Sequence, residues 1–348
     1  MADDAEVTAV RDAHKFNEGS LVDYMEQNVD GYKGPLTVRQ FEGGQSNPTF
    51  LLGTPDQEYV MRKKPPGVLL PSAHAVEREY LIMSALQDTD VPVAKTYSLC
   101  EDPDVIGTPF YIMEKVDGRI FREPELPGMD PAERSAIYDA MNDTLAKMHN
   151  VDVDAVGLTD FGKQGNFFER QIGRWTKQYR SSETEVVPTM EKLIEWLPAN
   201  MPKDLENTIC HGDYRLENMI IHPTKPEVVA VLDWELCTLG HPLADLAYNC
   251  MTYHFMHPSS GGLVTTNYET SGIPSEQAYI DAYCKRTGRE SIENWPFYVA
   301  FSFFRLAAIV QGVYKRGLDG NASSDRAKTY AAFATMLSDL GAKNILKA

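Results

Sequence analysis

Cysteine is scarce in this chain, and the five present (Cys100, Cys210, Cys237, Cys250, Cys284) are scattered, odd in number and never spaced as CxxC. That excludes a disulfide framework and predicts reduced, buried thiols in a cytoplasmic protein. Positive charge is short as well. Against 50 acidic residues stand 33 basic ones, a net charge of −17, so nucleic acid and anionic membrane surfaces would meet net repulsion. The acidity reads first as a solvated surface, and a small molecule is the expected partner. No apolar run is long enough to span a bilayer comfortably. The longest, Phe297 to Val313, is interrupted by Arg305 and Gln311 and reads as a buried helix. The opening residues, Met1-Ala-Asp-Asp-Ala-Glu6, lack the basic and apolar regions of a signal peptide. Internal repeats, low-complexity segments and a Gly-x-Ser-x-Gly turn are also missing. His254 and His257 lie three apart without an acidic or cysteine partner of metal-site pattern.

With 348 residues and 43% apolar content, the chain can fill two packed domains or one large bilobed unit. Leu36–Phe41, Thr49–Leu52 and Tyr59–Arg62 alternate as strands around a glycine turn at 42–48. His74 to Leu86 has helical spacing, and Val91–Lys95 and Pro109–Met113 read as further strands. The pattern breaks at Glu114–Gly118, which places a connection there and divides the chain into 1–115 and 116–348. Pro131 to Asn150 is an amphipathic helix with Asp130 as its N-cap, and residues 166–199 and 275–340 are mostly helical in pattern.

The most informative stretch is His211-Gly-Asp-Tyr-Arg-Leu-Glu-Asn218, followed by an apolar run that ends in Leu232-Asp-Trp-Glu235. It sets two carboxylates and an amide at the spacing used for Mg-assisted phosphoryl transfer. A hydroxyl nucleophile needs a carboxylate to take its proton, and the polyphosphate needs a hard cation held by oxygen donors.

The order glycine turn, basic strand, Glu-bearing helix, linker, HGDxxxxN and strand-Asp resembles the aminoglycoside phosphotransferase and choline kinase group of kinase-like enzymes, over roughly residues 30 to 320. Leu232–Leu236 and Leu239–Ala247 look closest to the kinase-like domain fused to some acyl-CoA dehydrogenases. The resemblance implies an α+β, bilobed protein-kinase-like fold, with a small antiparallel sheet and one helix followed by a larger, mainly helical half. It also implies ATP or GTP with Mg²⁺, and a small-molecule hydroxyl acceptor. By this resemblance Asp213 is the catalytic base, Asn218 and Asp233 hold metal, and Asp245 braces the loop. Gly43, Gly44, Ser46 and Asn47 cover phosphate, while Met113, Glu114 and Val116 meet adenine.

Arg62 departs from the pattern, because kinases place Lys there, paired with a helix Glu that matches Glu79. Arg keeps the charge but differs from Lys in reach and geometry, and Lys64 two residues on would point to the same face as Arg62. Both are retained as candidates; Lys63 should face away. The helical half would supply acceptor contacts: Arg170, Arg174, Trp175, Tyr179, Tyr248, Tyr253, His254 and Arg305. The basic and aromatic cluster at 170–180 leans toward an anionic acceptor such as a hydroxyacyl-CoA rather than a cationic aminoglycoside. A pseudokinase and a protein kinase are the rival classes. Retention of Asp213, Asn218 and Asp233 argues against the first, and Asp-Trp-Glu in place of Asp-Phe-Gly against the second.

Overall fold

The computed structural model describes residues 7–42, 47–67, 74–203, 206–257, 259–320 and 330–346, so Gly43, Gly44 and Ser46 lie outside the described residues. Along the chain run β1 (Val7–Thr8), α1 (Glu18–Asn28), β2 (Thr37–Phe41), β3 (Thr49–Gly53), β4 (Glu58–Lys63), α2 (Val76–Leu86), β5 (Thr96–Cys100), α3 (Pro103–Ile106) and β6 (Phe110–Glu114). The six strands form one antiparallel sheet in the order β1-β2-β3-β4-β6-β5.

Strand alternation divides the side chains of this sheet between two faces. Phe50, Leu52, Tyr59, Met61, Phe110 and Ile112 pack with Leu21 and Met25 of α1 in one apolar cluster. The intervening residues, Leu51, Val60, Arg62, Tyr111 and Met113, line a cavity. Lys63 sits with the first set, as its register predicts, with Nζ 5.6 Å from the Phe16 ring centroid and 5.9 Å from that of Phe50. Burial lowers its pKa.

The strand expected at Val91–Lys95 begins only at Thr96. Pro92 has no N–H for a ladder, and its carbonyl instead accepts from Val231 N at 2.9 Å. Helix α1 was not expected. Its signals are Asn17, whose side chain accepts from Ser20 N, and the i, i+4 pair Leu21 and Met25.

After β6 come α4 (Pro131–His149), α5 (Phe167–Ser182), α6 (Pro188–Ala199), β7 (Thr208–Cys210), β8 (Met219–Ile221), β9 (Val228–Val231), β10 (Thr238–Gly240), α7 (Pro242–Cys250), α8 (Glu276–Thr287), α9 (Trp295–Leu318) and α10 (Ala331–Ile345). Helix α4 starts where the sequence predicts, with Asp130 accepting from the amides of Ala132 and Glu133, both at 2.9 Å. The architecture is α+β. By compactness the chain divides into Met1–Arg122 with Asp154–Leu158 and Leu216–Cys237, and Glu123–Val153 with Thr159–Arg215 and Thr238–Ala348. The β8/β9 hairpin, which the sequence division assigns to the second half, therefore packs in the first unit.

In the second unit β7 pairs with β10, and α9 packs against α5, α6, α7 and α10. Helix α9 is long and apolar enough to cross a bilayer by length and composition, but 72% of its most apolar window is buried inside the protein, which identifies a core helix. On α4, Leu145 is completely buried. Leu145→Ala should cost about 2–5 kcal/mol of stability, read as a lower urea midpoint of the second unit; an unchanged midpoint would mean that α4 does not seat there.

Candidate active site

Arg62 is the hub of the first unit's cavity. Its Nη1 lies 2.8 Å from Glu79 Oε2 and its Nη2 lies 3.6 Å from Asp233 Oδ1. Tyr111 stands opposite Arg62 in the β4–β6 ladder and donates its hydroxyl to Glu79 Oε2 at 3.0 Å. The Asn47 amide donates to Glu79 Oε1 at 2.7 Å. Glu79, only 1% exposed, is thus held by a cation and two neutral donors. Burial raises its pKa, while Arg62 and Tyr111 act against that. Burial also works against the charge on Arg62, but Tyr111, Glu79 and Asp233 outweigh it and its pKa is raised, so the guanidinium stays protonated.

Two expectations are corrected here. Asn47, expected to donate to phosphate, is fully buried with its amide nitrogen on Glu79 and its oxygen 3.1 Å from His74 Nδ1. Lys64 lies past the end of β4, where alternation no longer governs it, and its Nζ pairs with Glu77 at 2.8 Å. Of the two candidates, Arg62 is the one that lines the cavity.

The cavity holds about 540 Å³, a size suited to a small-molecule ligand. Met113, Glu114 and Val116 line it from β6 and the segment beyond, and Asn218 and Asp233 line it from the hairpin. The hairpin's register brings those last two together. A 3₁₀ turn, Leu216–Asn218, leads into β8, Leu232 N donates to Asn218 O at 2.8 Å, and Asp233 follows directly. Asp233 adopts the left-handed conformation (φ 64°, ψ 58°), unfavourable for an L-residue by about 1–2 kcal/mol but tolerated by Asp. The turn directs its carboxylate toward Arg62. One amide and one carboxylate oxygen are donors of the hard type that Mg²⁺ takes, so the residues fit a divalent cation. Close approach of the linker to the hairpin requires Gly118, whose added Cβ would lie 2.2 Å from Ile220 Cγ2 and 2.5 Å from the Ile221 carbonyl oxygen.

In the second unit the loop His211–Tyr214 is held on all sides. Asp245, buried on α7, accepts from His211 N at 2.5 Å and Gly212 N at 2.9 Å. Burial pushes its pKa up, yet His149, His211 and the Gly212 amide prevail and the net shift is downward. Arg305 donates to Gly212 O at 2.7 Å, Asn249 to Tyr214 O at 3.3 Å, and Tyr214 to Met141 O at 2.8 Å. Asp213 is half-buried, with Arg215 Nε 3.3 Å from its carboxylate and its charge close enough to Tyr248 to act on that hydroxyl. Burial and the Asp213 charge raise the pKa of Tyr248, keeping it a donor. His149, Cys210 and Asp245 have metal-like spacing, but both Asp245 oxygens already accept backbone N–H groups.

The residues expected to meet an acceptor are dispersed in their actual surroundings. Arg305 lies between the rings of Trp175 (5.7 Å) and Tyr248 (5.3 Å), so these three gather over the loop. Arg174 is exposed, 5.3 Å from the Trp175 ring centroid. Tyr179 is buried within the helices and reaches no open surface. Arg170 donates to the carbonyls of Lys163 and Gln164, Tyr253 donates to Pro274 O, and His254 bonds Glu276. Helical spacing alone does not distinguish such internal ties from contacts offered to a ligand. Tyr111, Asn249 and the nearness of Asp213 to Tyr248 were missed; pairing Tyr111 across from Arg62 was the one signal available, once both strands were recognised.

A small antiparallel sheet with a buried Arg–Glu pair, an oxygen-donor hairpin and a braced His-Gly-Asp loop are features of a kinase-like α+β fold. The profile of the phosphotransferase enzyme family matches residues 37–293, and the chain belongs to that family. A crystal structure of a "putative aminoglycoside phosphotransferase" from Ralstonia eutropha JMP134 is 51% identical, with a TM-score of 0.90 over 96% of this chain and 99% of that one. Acyl-CoA dehydrogenase family member 10 of Mus musculus is 50% identical over 88% of this chain and 29% of that protein. Member 11 of Homo sapiens is 43% identical over 97% of this chain and 44% of that protein. The chain thus spans less than half the length of these curated relatives. Aminoglycoside phosphotransferase APH(4)-Ia, in a ternary complex with ADP and hygromycin B, shares the fold at 14% identity, with a TM-score of 0.61 over 93% of this chain and 97% of that one.

Glu79→Ala would leave the Arg62 charge buried without its main partner. It should lower stability by about 3–5 kcal/mol, measured by chemical denaturation, whereas Glu79→Gln should lose less; equal small losses would show that the pair is not structural. His241 caps α7 through Nδ1, which accepts from Leu243 N at 3.3 Å, and burial, with Arg289 and His149, depresses its pKa to about 4. Because the folded state resists protonating it, stability is complete above the unfolded pKa near 6.5 and falls as pH drops from there toward 4, by about 3 kcal/mol. His241→Asn, which keeps a capping acceptor, should flatten the wild-type loss of urea midpoint between pH 7.5 and pH 5; the same slope in both proteins would refute this.

Proposed function

We propose that the chain transfers the γ-phosphoryl group of ATP, or of GTP, to a hydroxyl of a small molecule. The observation that carries the proposal is the convergence of Arg62, Asn218 and Asp233 on one cavity, with Arg62 fixed by Glu79. In this reading Arg62 binds the α- and β-phosphates, and Asn218 and Asp233 hold Mg²⁺. The Glu114 carbonyl and the Val116 amide meet the base beside Met113. Mg²⁺ when bound supplies charge compensation at the β- and γ-phosphates. Asp213 orients the acceptor O–H and takes its proton as the O–P bond forms and the bond from γ-phosphorus to the β-γ bridging oxygen breaks. Positioning and electrostatics carry most of the rate for so loose a transition state.

For the acceptor we favour a hydroxyacyl-CoA or another anionic hydroxylated metabolite over an aminoglycoside. Arg174 is an exposed cation on the helical unit, and the fused relatives bear acyl-CoA dehydrogenase names. A nucleotide-binding pseudokinase is the second reading, motivated by Arg in place of Lys. Its buried pair with Glu79 holds Arg62 charged at the cavity, which argues against that alternative. The five buried free thiols suit a reducing compartment, and we place the protein in the cytoplasm.

Release of ADP and GDP with Mg²⁺, measured across hydroxyacyl-CoAs, hydroxy acids, choline-like alcohols, sugars and aminoglycosides, tests this. Acceptor-dependent release should appear and fall by about a hundredfold or more in Asp213→Asn, and Asp233→Ala should be inactive. Full activity in Asp233→Ala would sink the metal assignment, and nucleotide binding without any release would favour the pseudokinase.

A further inference from the structure

The peptide that joins Gly212 to Asp213 links the braced turn to the Asp213 carboxylate, and it is where the turn rotates most easily. Gly212 stands at φ 85° and, with no Cβ, has a wide choice of ψ. Rotation about that ψ tilts the Gly212–Asp213 peptide plane and carries the Asp213 side chain with it. The two bonds to Asp245 do not prevent this, because they are made by the N–H groups of His211 and Gly212, which belong to the two preceding peptides. The plane itself is held at its two ends. The Asp213 N–H goes to His211 Nδ1 at 3.2 Å, a bond made within the turn, while the Gly212 carbonyl accepts from Arg305 Nη2 at 2.7 Å, a donor brought from outside it.

The bond from Arg305 is the shorter of the two and has a charged donor, which makes it the stronger hold. Arg305 is itself well seated. It lies on α9 with Phe301 and Ala308, one turn to either side, buried in the core. Its guanidinium is 5.7 Å from the Trp175 ring centroid and 5.3 Å from that of Tyr248. Aromatic rings attract a guanidinium to their faces and leave its in-plane N–H groups for hydrogen bonds. Among the described residues Arg305 pairs with no carboxylate, and its hydrogen-bond acceptor is the Gly212 carbonyl.

We propose that Arg305, expected from the sequence to contact the acceptor, is instead a positioning residue. It sets the Gly212–Asp213 peptide plane and thereby the direction of the Asp213 carboxylate, and Trp175 acts through it. The effect on turnover rests on the phosphotransferase reading above, whereas the hold on the peptide does not.

The test uses the full chain. Its sequence contains one Gly-Asp pair, at 212–213, so protein labelled with ¹³C at glycine carbonyls and ¹⁵N at aspartate gives a single carbonyl–amide correlation for this peptide. The signal should be sharp in the wild type and broadened or doubled in Arg305→Ala, as the plane samples a second orientation. Millimolar ethylguanidinium, which carries the atoms removed, should restore it. In Arg305→Ala, kcat with Mg·ATP and an acceptor from the panel should fall about tenfold, the scale of one lost hydrogen bond, with KM for both substrates unchanged and with recovery on adding ethylguanidinium. Trp175→Leu should give a smaller fall, and Arg305→Ala/Trp175→Leu no larger a fall than Arg305→Ala alone, since Trp175 acts through the cation. An Arg305→Ala signal as sharp as that of the wild type overturns the proposal. So does a raised acceptor KM with kcat retained, which would make Arg305 an acceptor contact, and so do losses from Trp175 and Arg305 that multiply. If the signal broadens as stated and no protein turns over nucleotide with any acceptor, the phosphotransferase reading fails and the hold on Asp213 stands.

Discussion

The Arg62–Glu79 pair is the constraint on which the first unit depends. A carboxylate buried to that degree persists only if donors surround it, and the donors come from three separate parts of the chain. Arg62 arrives on β4, Tyr111 on β6, Asn47 from the segment before β3, and Glu79 itself on α2. The ion pair therefore fixes how helix and sheet meet. Through its second nitrogen Arg62 also reaches Asp233, so a structural requirement and a cavity-facing cation are met by one side chain.

The second unit solves a similar problem with Asp245. Its carboxylate is stabilised by two backbone amides and faces His149, and in return it sets the turn on which Asp213 sits. Arg305 ties the same turn to α9 from the carbonyl side, its own charge spread over the rings of Trp175 and Tyr248. Backbone groups of a loop this short cannot satisfy one another, so their partners come from α7 and α9, while the Tyr214 hydroxyl reaches Met141 O on α4. The long apolar helix α9 makes that possible by seating Arg305 on a well-packed core element.

Much of this was legible in the residues. Alternation along β4 placed Lys63 on the face away from Arg62, and Asp130 marked the start of α4. The HGDxxxxN segment and Asp233 stand out because oxygen donors at fixed spacing have few other uses, and Asn218 and Asp233 do line one cavity. Reading failed where the surroundings of a side chain decide its use. Asn47 reads as a phosphate donor by its place after a glycine turn, but the buried Glu79 claims it. Lys64 reads as an alternate to Arg62 only if the strand continues, and it does not. Tyr253 and His254 look like pocket residues until their internal partners are known, and Tyr179 until its burial is.

The sequence by itself determined the element types, the family resemblance and the set of groups available for phosphoryl transfer, since those follow from local periodicity and from residue chemistry at short range. Only the tertiary structure decided that Arg62 rather than Lys64 faces the cavity, that Asn218 and Asp233 line it together, and that Arg305 ties Gly212 to α9. Those outcomes turn on which buried charge finds which partner. Desolvation makes that choice costly to get wrong, and it is made between residues far apart along the chain, where no sequence period records it.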